Sequence, residues 1–251
     1  MRYIEFQPSI LLSPHIETYW ATVGFQKEAK LFKVLPDGCV DIIFSFELTK
    51  RLGTESFSQN IIGTMTTYIE ESYSDKIDML GIRFRPAGFT AFTRTPIYEF
   101  TDRRINLSLA ESIFDESFYS ELPSKETVEE RIQYIESYFI RNLKNMFQPE
   151  SQIVYAVDLI RQTKGQLSLA EVASKSCLSL RYFERKFKAT IGISPKTFSK
   201  ITKFKHTITY FEKYPSISLL DAAVDCGYYD QSHLIKDFKS LSGNLPSHFK
   251  L

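Results

Sequence analysis

The sequence has few residues of the kinds that build disulfide frameworks and metal sites. Its 251 residues include three cysteines and four histidines. Cys39, Cys177 and Cys226 are far apart and odd in number, so their spacing fits neither a zinc site nor a set of disulfides. The spacing of His15, Cys39 and the nearby aspartates does not fit a metal site either. The sequence therefore predicts a reducing compartment, no metal and no cofactor.

Long apolar runs are also missing. Near the N terminus the longest run covers residues 10–12, which is too short for a signal-peptide core or a membrane span. We therefore expect a cytoplasmic protein that has no membrane partner.

An overall excess of charge is absent too, but the two halves of the chain differ. The formal net charge is +1. Residues 1–145 hold 16 Lys+Arg against 21 Asp+Glu (net −5), whereas residues 146–251 hold 15 against 9 (net +6). The basic half favours a polyanionic partner for that half alone, although an ordinary solvated surface has the same balance.

Residues 230–233 read Asp-Gln-Ser-His and resemble the components of a hydrolase site. Neighbours one or two positions apart on a helix or strand do not face each other. A nucleophile, its base and the group that orients the base must lie within hydrogen-bond reach. The tetrapeptide therefore does not indicate an active site, and we predict no catalytic residue and no enzyme.

The basic half contains two copies of one unit, offset by 50 to 51 residues. SLAEVA from Ser168 aligns with SLLDAA from Ser218, and in each copy a helix-capping serine precedes an acidic residue by three positions. Turns follow at residues 176–178 and 226–228, and second helices then open at Ser179 and Asp230. A helix, a tight turn and a second helix form the helix-turn-helix pattern. We place the two units at about 168–190 and 218–241.

The second helix of each copy has an apolar side and a largely cationic side. Phe183 and Phe187 in the first copy, and Leu234, Phe238 and Leu241 in the second, point inward. The outward residues are Arg181, Glu184, Arg185 and Lys188, then Ser232, Ile235, Lys236 and Lys239. In helix-turn-helix proteins this outer face meets base edges in the major groove. A helical hairpin with a solvated cationic face is the alternative, and two such faces in register disfavour it. Glu184 is more readily a partner of neighbouring cations than a reader of cytosine.

A single helix is predicted between the two units, at about 195–213. Ser194 can cap it, Pro195 suits its first position, and apolar residues recur at helical spacing from Phe198 to Phe211. At ~1.5 Å per residue its length is roughly 27 Å. Such a strut could hold two recognition helices about one DNA turn apart.

Residues from about 149 to 251 resemble the DNA-binding domain of the AraC/XylS family of bacterial transcription regulators. The resemblance lies in the run DCGYYDQSHL from Asp225 to Leu234, in Phe238, Lys239, Ser242, Gly243 and Pro246, and in IGISP from Ile191 to Pro195. It implies seven helices and double-stranded DNA as the partner. By position, the base-facing residues would be Arg181, Glu184, Arg185, Gln231, Ser232, Ile235 and Lys236. Lysine stands at 236 where arginine is frequent, which makes a guanine contact there less certain.

In the acidic half, apolar residues follow the alternating spacing of strands more than the spacing of helices. Aromatic or β-branched runs at residues 18–23, 39–46, 60–65 and 79–85 predict a mainly β domain over residues 1–146. From Ser124 to Met146 apolar residues recur at helical spacing, so this domain should end in an amphipathic helix at about 124–146, which packs on its own domain or dimerises. The fold class expected is α+β, with a β-rich domain followed by an all-α domain.

The runs VLPDGCVDIIF from Val34 and LGIRFRPAGF from Leu80 resemble a sensor-like N-terminal domain in a subgroup of AraC-like regulators. The ligand of that domain is unassigned. Arg83 and Arg85 should share one face of a strand, where they receive an anion or pair with Asp37 and Asp41. The candidate ligand-binding residues are Trp20, Asp37, Asp41, Arg83 and Arg85.

The sequence as a whole thus predicts a DNA-binding transcription regulator that responds to a small-molecule effector. Contact with RNA polymerase and homodimerisation are left open. One alternative makes the N-terminal domain an enzyme that uses Cys39 with His15, Asp37 or Asp41. Another is an architectural DNA binder without an effector. Cys177 and Cys226 are expected to be small buried residues at the turns.

Overall fold

The N-terminal half of the chain forms one antiparallel sheet. In the computed structural model, which describes residues 1–49, 54–107 and 113–250, the strands follow the order β1-β2-β5-β3-β4-β6. Their bounds are β1 Arg2–Phe6, β2 Ile16–Val34, β3 Val40–Thr49, β4 Thr54–Ile62, β5 Ile69–Phe84 and β6 Arg104–Asn106. Each of the four predicted runs overlaps one of the strands β2 to β5.

Helices cover one face of this sheet. In β3 the buried Val40, Ile42 and Phe44 alternate with less buried residues, as expected for a strand with one face in a core. Two helices, α1 (Glu116–Glu121) and α2 (Val128–Arg141), pack on that face. The seam of α2 therefore buries against its own sheet, which is one of the two arrangements left open by the sequence.

The bounds predicted for this amphipathic helix were too wide. Thr127 Oγ1 accepts a hydrogen bond from the Glu130 N–H at 3.2 Å, and Glu130 Oε2 accepts one from the Thr127 N–H at 3.1 Å. This capping box starts the helix at Val128, because it satisfies N–H groups that would otherwise lack partners. Residues 122–124 and 143–145 instead form separate 3-10 helices, and Met146 lies outside them.

The C-terminal half is helical. Its helices are α3 (Ser151–Gln162), α4 (Leu169–Lys175), α5 (Leu180–Ile191), α6 (Pro195–Lys213), α7 (Leu219–Asp225) and α8 (Gln231–Ser242), followed by a 3-10 helix at Pro246–Phe249. The α+β fold class is confirmed, as are both helix-turn-helix units and the long linker helix α6. Phe183, Phe187, Phe204 and Phe238 are fully buried in one helical core.

Three of the four serine caps form as predicted. Ser168 and Glu171 close a full capping box, and Ser194 accepts from the Thr197 N–H. Ser218 accepts from the Asp221 N–H, but the shorter Asp221 side chain accepts from the Ser218 hydroxyl and not from the Ser218 N–H. The second helix of the first unit opens at Ser179 as predicted, but the Ser179 side chain makes no capping bond.

The turn between β2 and β3 packs against the helical half of the chain. Gly38 adopts φ +83, and a Cβ atom there would lie 2.5 Å from the Phe198 ring on α6. Leu35 and Ala87 likewise pack against the helical core. The Leu-Pro-Asp-Gly turn thus lies directly on the linker helix, where a residue other than glycine would be both strained and crowded.

Gly81 on β5 provides a first prediction, because it lies opposite Trp20 on β2. A Cβ atom at position 81 would lie 2.0 Å from Cε2 of the indole. Gly81→Ala should therefore displace this ring and destabilise the protein by about 1–3 kcal/mol, as overpacking usually does. Urea unfolding measures this change.

The control is the double variant Gly81→Ala/Trp20→Phe, compared with Trp20→Phe alone. Phenylalanine lacks the indole atoms that meet the new Cβ, so Gly81→Ala should lower the free energy of unfolding less in this background. If Gly81→Ala lowers it equally in both backgrounds, the contact with Trp20 is not the cause.

Candidate nucleic-acid interface

Helix α5 presents the cationic face that the sequence predicts. Arg181, Glu184, Arg185 and Lys188 are exposed, while Phe183 and Phe187 are fully buried on the other side. No ion pair of Glu184 with its cationic neighbours is present among the described residues, contrary to our expectation. The Arg185 guanidinium instead lies 5.2 Å from the centroid of the Tyr182 ring. Arg185 is therefore available to an anionic partner.

Helix α8 presents a similar face. Its cap is Asp230, whose Oδ1 accepts a hydrogen bond from the His233 N–H at 2.7 Å. Gln231, Ser232, Lys236 and Lys239 are exposed, but Ile235 is half-buried and packs against the helical core. Ile235 thus offers less surface to a thymine methyl group than the other positions offer to DNA. The base contacts of both helices stay predictions.

Both turns place one residue in the left-handed region. Cys177 has φ +57 in the first unit, and Gly227 has φ +74 at the equivalent position of the second. Cys177 is exposed at the surface of its turn, so the expectation that it is buried was wrong, whereas Cys226 is buried as expected. A left-handed residue at equivalent positions of the two turns supports the interpretation of the two units as copies.

The N-terminal domain binds the C-terminal end of α5. Thr64 Oγ1 donates to the Ile191 carbonyl at 2.6 Å, and Thr101 Oγ1 donates to the Gly192 carbonyl at 2.9 Å. The Lys188 ammonium lies 5.9 Å from the centroid of the Tyr98 ring. The last carbonyls of a helix lack partners within it. Here the N-terminal domain supplies them.

The same domain binds the end of α8. Thr67 Oγ1 donates to the Ser240 carbonyl at 2.7 Å, and Lys33 Nζ donates to the Ser242 carbonyl at 3.2 Å. A cation at this position also interacts favourably with the helix dipole. Both recognition helices are thus held at their C-terminal ends by one domain, while their N-terminal ends are exposed. These contacts join residues at least 90 positions apart, and no local sequence signal indicates them.

The face of the sheet opposite α2 carries a cavity of about 230 Å³. Four of the five candidate ligand residues line it, namely Trp20, Asp37, Asp41 and Arg83. Arg85 does not, because it follows the last residue of β5 and its Nε donates to the Ser13 carbonyl. The lining residues that sequence reasoning missed include Tyr3, Thr22, Phe32, Ile43, Met65 and Met79. Strand alternation from Trp20, Asp41 and Arg83 points to Thr22, Ile43 and Met79, but the others depend on strand pairing.

The charged groups of this cavity form one cluster. Arg83 Nε lies 3.2 Å from Asp37 Oδ2 and 3.4 Å from Asp41 Oδ1. The indole N–H of Trp20 donates to Asp41 Oδ1 at 2.7 Å. The arginines were expected either to receive an anion or to pair with Asp37 and Asp41, and Arg83 pairs with both aspartates. Burial raises the pKa of Asp41 to about 6, with Arg83 opposing the shift and Asp37 adding to it.

Cys39 also lines this cavity. It is buried, and its thiol donates to Glu17 Oε2 at 3.2 Å. Burial raises the pKa of this thiol well above its usual range, and the carboxylates of Asp37 and Glu17 add to the shift. Within the described residues, no group of three or more histidine, cysteine, aspartate or glutamate side chains could hold a metal ion.

Comparison with known protein families divides the chain in the same way. Residues 161–251 match a helix-turn-helix domain, and residues 4–106 match a domain of unknown function, DUF6597. No curated protein matches the sequence. The C-terminal segment is thus a helix-turn-helix domain by sequence as well as by structure.

None of the helices in the described residues combines the length and the apolar character that a membrane span requires.

Solved structures of ToxT from Vibrio cholerae resemble the chain along most of its length. One is 9% identical, with a TM-score of 0.46, and covers 92% of this chain and 97% of ToxT. ToxT bound to (E)-4-(8-methylnaphthalen-1-yl)but-3-enoic acid is 10% identical over the same shares, with a TM-score of 0.48. ToxT bound to an unsaturated fatty acid is 12% identical over 98% and 92% of the two chains, with a TM-score of 0.40. Likeness at this level gives no indication of a shared ligand.

The carboxyl of Asp41 gives a second prediction. Because its pKa is about 6 and it accepts the indole N–H of Trp20, lowering the pH through 6 should change the fluorescence of this tryptophan, the only one in the chain. Protonation removes the negative charge that strengthens this hydrogen bond. A fluorescence titration from pH 8 to pH 4 should show a midpoint near 6.

Asp41→Asn is the control for this titration, because asparagine keeps an acceptor for the indole but does not ionise. The step near pH 6 should disappear in this variant. A fluorescence step of the same size in the variant would show that a group other than Asp41 titrates near pH 6.

Proposed function

We propose that this chain is a sequence-specific DNA-binding transcription regulator of the AraC/XylS type, whose N-terminal domain responds to a small-molecule effector. The observation that carries the proposal is the pair of helix-turn-helix units with exposed cationic recognition helices, α5 and α8, joined by one continuous helix. Lysines and helix N-termini would supply affinity through phosphates, and the two outer faces would supply base preference.

The linker helix supports binding along one face of the duplex. With 19 residues, α6 is about 28 Å long. Recognition helices that occupy successive major grooves are about 34 Å apart. A rigid helix of this length, with a unit packed at each end, suits two neighbouring grooves of double-stranded DNA.

The cavity and the contacts between the domains favour an effector-responsive regulator over a purely architectural binder. An architectural protein has no need of a lined cavity in a second domain, nor of a domain that holds both recognition helices. The Leu-Pro-Asp-Gly turn, at residues 35–38, supplies one cavity residue, Asp37, and lies on the linker helix. These features support a sensor role for the N-terminal domain.

The enzyme alternative has less support. Its nucleophile would be Cys39, and the reactive form of a cysteine is the thiolate. Burial disfavours the thiolate at this position, and the protonated thiol donates a hydrogen bond to Glu17 Oε2. Our proposal therefore includes no catalytic step. We further propose that the protein acts in the bacterial cytoplasm. RNA polymerase and a second copy of the chain are candidate partners.

Two substitutions on the recognition helices test the proposal once a preferred duplex has been selected from a random pool. Arg185→Ala should lower affinity for that duplex by about tenfold and relax its base preference, since a bidentate arginine contact is worth about 1–3 kcal/mol. Lys239→Ala should weaken binding to all sequences alike and reduce the salt dependence. Fluorescence anisotropy at several salt concentrations measures both effects.

Arg141→Ala is the matched control, because Arg141 is an exposed arginine on α2 in the N-terminal domain. It removes the same charge and should leave DNA binding unchanged. If Arg185→Ala behaves like this control, the assignment of α5 as a recognition helix is wrong.

A further inference from the structure

The side-chain charges that line the N-terminal cavity do not balance. Arg83 lies between two carboxylates, those of Asp37 and Asp41. A third carboxylate at the rim, Glu71, is paired with Arg104 at 3.1 Å. The cluster inside therefore has one negative charge in excess. A charge in an apolar setting is costly unless it is paired, so this excess favours an occupant with a positive charge.

An anionic occupant would meet an unfavourable site. The single arginine of the lining already has a carboxylate within 3.4 Å on two sides. An anion could reach its guanidinium only by displacing Asp37 or Asp41, or by accepting repulsion from both. A cation meets the same carboxylates as partners.

The rest of the lining suits a small apolar body. The rings of Tyr3 and Trp20 are stacked, with centroids 6.1 Å apart and planes at 28°. Aromatic faces attract organic cations, and flexible methionines such as Met65 and Met79 adapt to irregular shapes. The cavity, at about 230 Å³, is somewhat below the range of drug-sized sites, so it suits a molecule of about one ring.

The walls of this cavity are also the segments that hold the recognition helices. On β2, Phe32 and Val34 line the cavity, and Lys33 between them binds the Ser242 carbonyl. Successive residues of a strand point to opposite faces. Displacing Phe32 or Val34 therefore moves Lys33.

The segment after β4 has the same arrangement. Gly63, Met65 and Ile69 line the cavity. Thr64 and Thr67, which lie between these residues along the chain, donate to the carbonyls of Ile191 and Ser240. One short segment thus connects the cavity to the ends of both α5 and α8.

We propose that the cavity bounded by Trp20, Asp37, Asp41 and Arg83 binds a small apolar monocation. We also propose that occupancy of the cavity alters the hydrogen bonds of residues 63–69 and Lys33 to the C-terminal ends of the two recognition helices. The second part rests on the proposed function, because its consequence is a change in DNA binding. The first part does not.

Ligand binding is measured on the full chain through the fluorescence of Trp20, the single tryptophan, which lines the cavity. Three probes of nearly the same shape differ in charge: phenyltrimethylammonium, tert-butylbenzene and benzenesulfonate. The cation should bind about tenfold or more tightly than the neutral probe, and the sulfonate should be the weakest.

Asp37→Asn tests the source of this preference, because it removes the excess negative charge and keeps an acceptor for the Cys39 N–H. It should reduce affinity for the cation by about tenfold and leave that for tert-butylbenzene unchanged. Asp41→Asn serves as the second neutralising variant if the first fails to fold. Glu129→Gln, at an exposed position on α2, is the charge-matched control.

Three results would overturn the ligand class. The first is equal affinity for the cation and its neutral isostere. The second is preference for the sulfonate, which would make Arg83 the ligand-binding group. The third is no fluorescence response to the cation at millimolar concentration.

Coupling to DNA is measured separately, as the dissociation constant for the selected duplex with and without saturating phenyltrimethylammonium. We expect a change of about fivefold or more. Thr67→Val, which removes the bond to the Ser240 carbonyl, should reduce this change and leave probe binding intact. An unchanged dissociation constant with the probe bound would overturn the coupling. If the chain binds no duplex even without the probe, the proposed function is overturned, while the fluorescence result stands.

Discussion

The carbonyl groups at the C-terminal ends of α5 and α8 determine how the two halves of this protein are joined. A helix leaves its last carbonyls without internal partners, and these must find donors elsewhere. In this chain, hydroxyl groups of Thr64, Thr67 and Thr101 and the ammonium of Lys33 supply donors from the sheet domain. A requirement of each recognition helix is thus met by a domain that belongs to a different part of the sequence. The orientation of both helices depends on the backbone that carries those donors.

The same backbone encloses the cavity, and this follows from the geometry of extended chain. Residues that alternate along a strand alternate between its faces, so one segment can present apolar side chains to a cavity and polar ones to a neighbouring domain. Phe32 and Lys33 are an example on β2. In the loop after β4, Thr64 donates to the Ile191 carbonyl while its neighbour Met65 lines the cavity. The turn at Asp37 and Gly38 adds a third connection, because Asp37 pairs with Arg83 and Gly38 lies against Phe198 on the linker helix.

Sequence reasoning succeeded where the determinants are local. The bounds of α6 follow from Ser194, Pro195 and a helical apolar period, and the two helix-turn-helix units follow from their repetition. It failed at Ser179, which occupies a cap position without making a side-chain bond, and at the start of α2, which was expected at about 124 and begins at Val128 after the cap Thr127. The contacts between the domains could not be predicted, because each joins residues that are distant in sequence and have no distinctive pattern around them. Four of the five ligand candidates do line one cavity, since strand alternation is a local rule too.

The division of each recognition helix into two ends indicates how regulation can occur in such a molecule. In helix-turn-helix proteins, the N-terminal residues of the recognition helix contact base edges. Arg181 and Gln231 lie in these first turns and are exposed, whereas the contacts with the sheet domain begin at Lys188 and Ser240. The sheet domain therefore leaves the first turns of both helices uncovered. Under the coupling proposed above, a change in the cavity would act by reorienting α5 relative to α8 and not by blocking either helix. Two helices on one duplex must fit two grooves at once, so a small rotation of one is enough to weaken the binding of both.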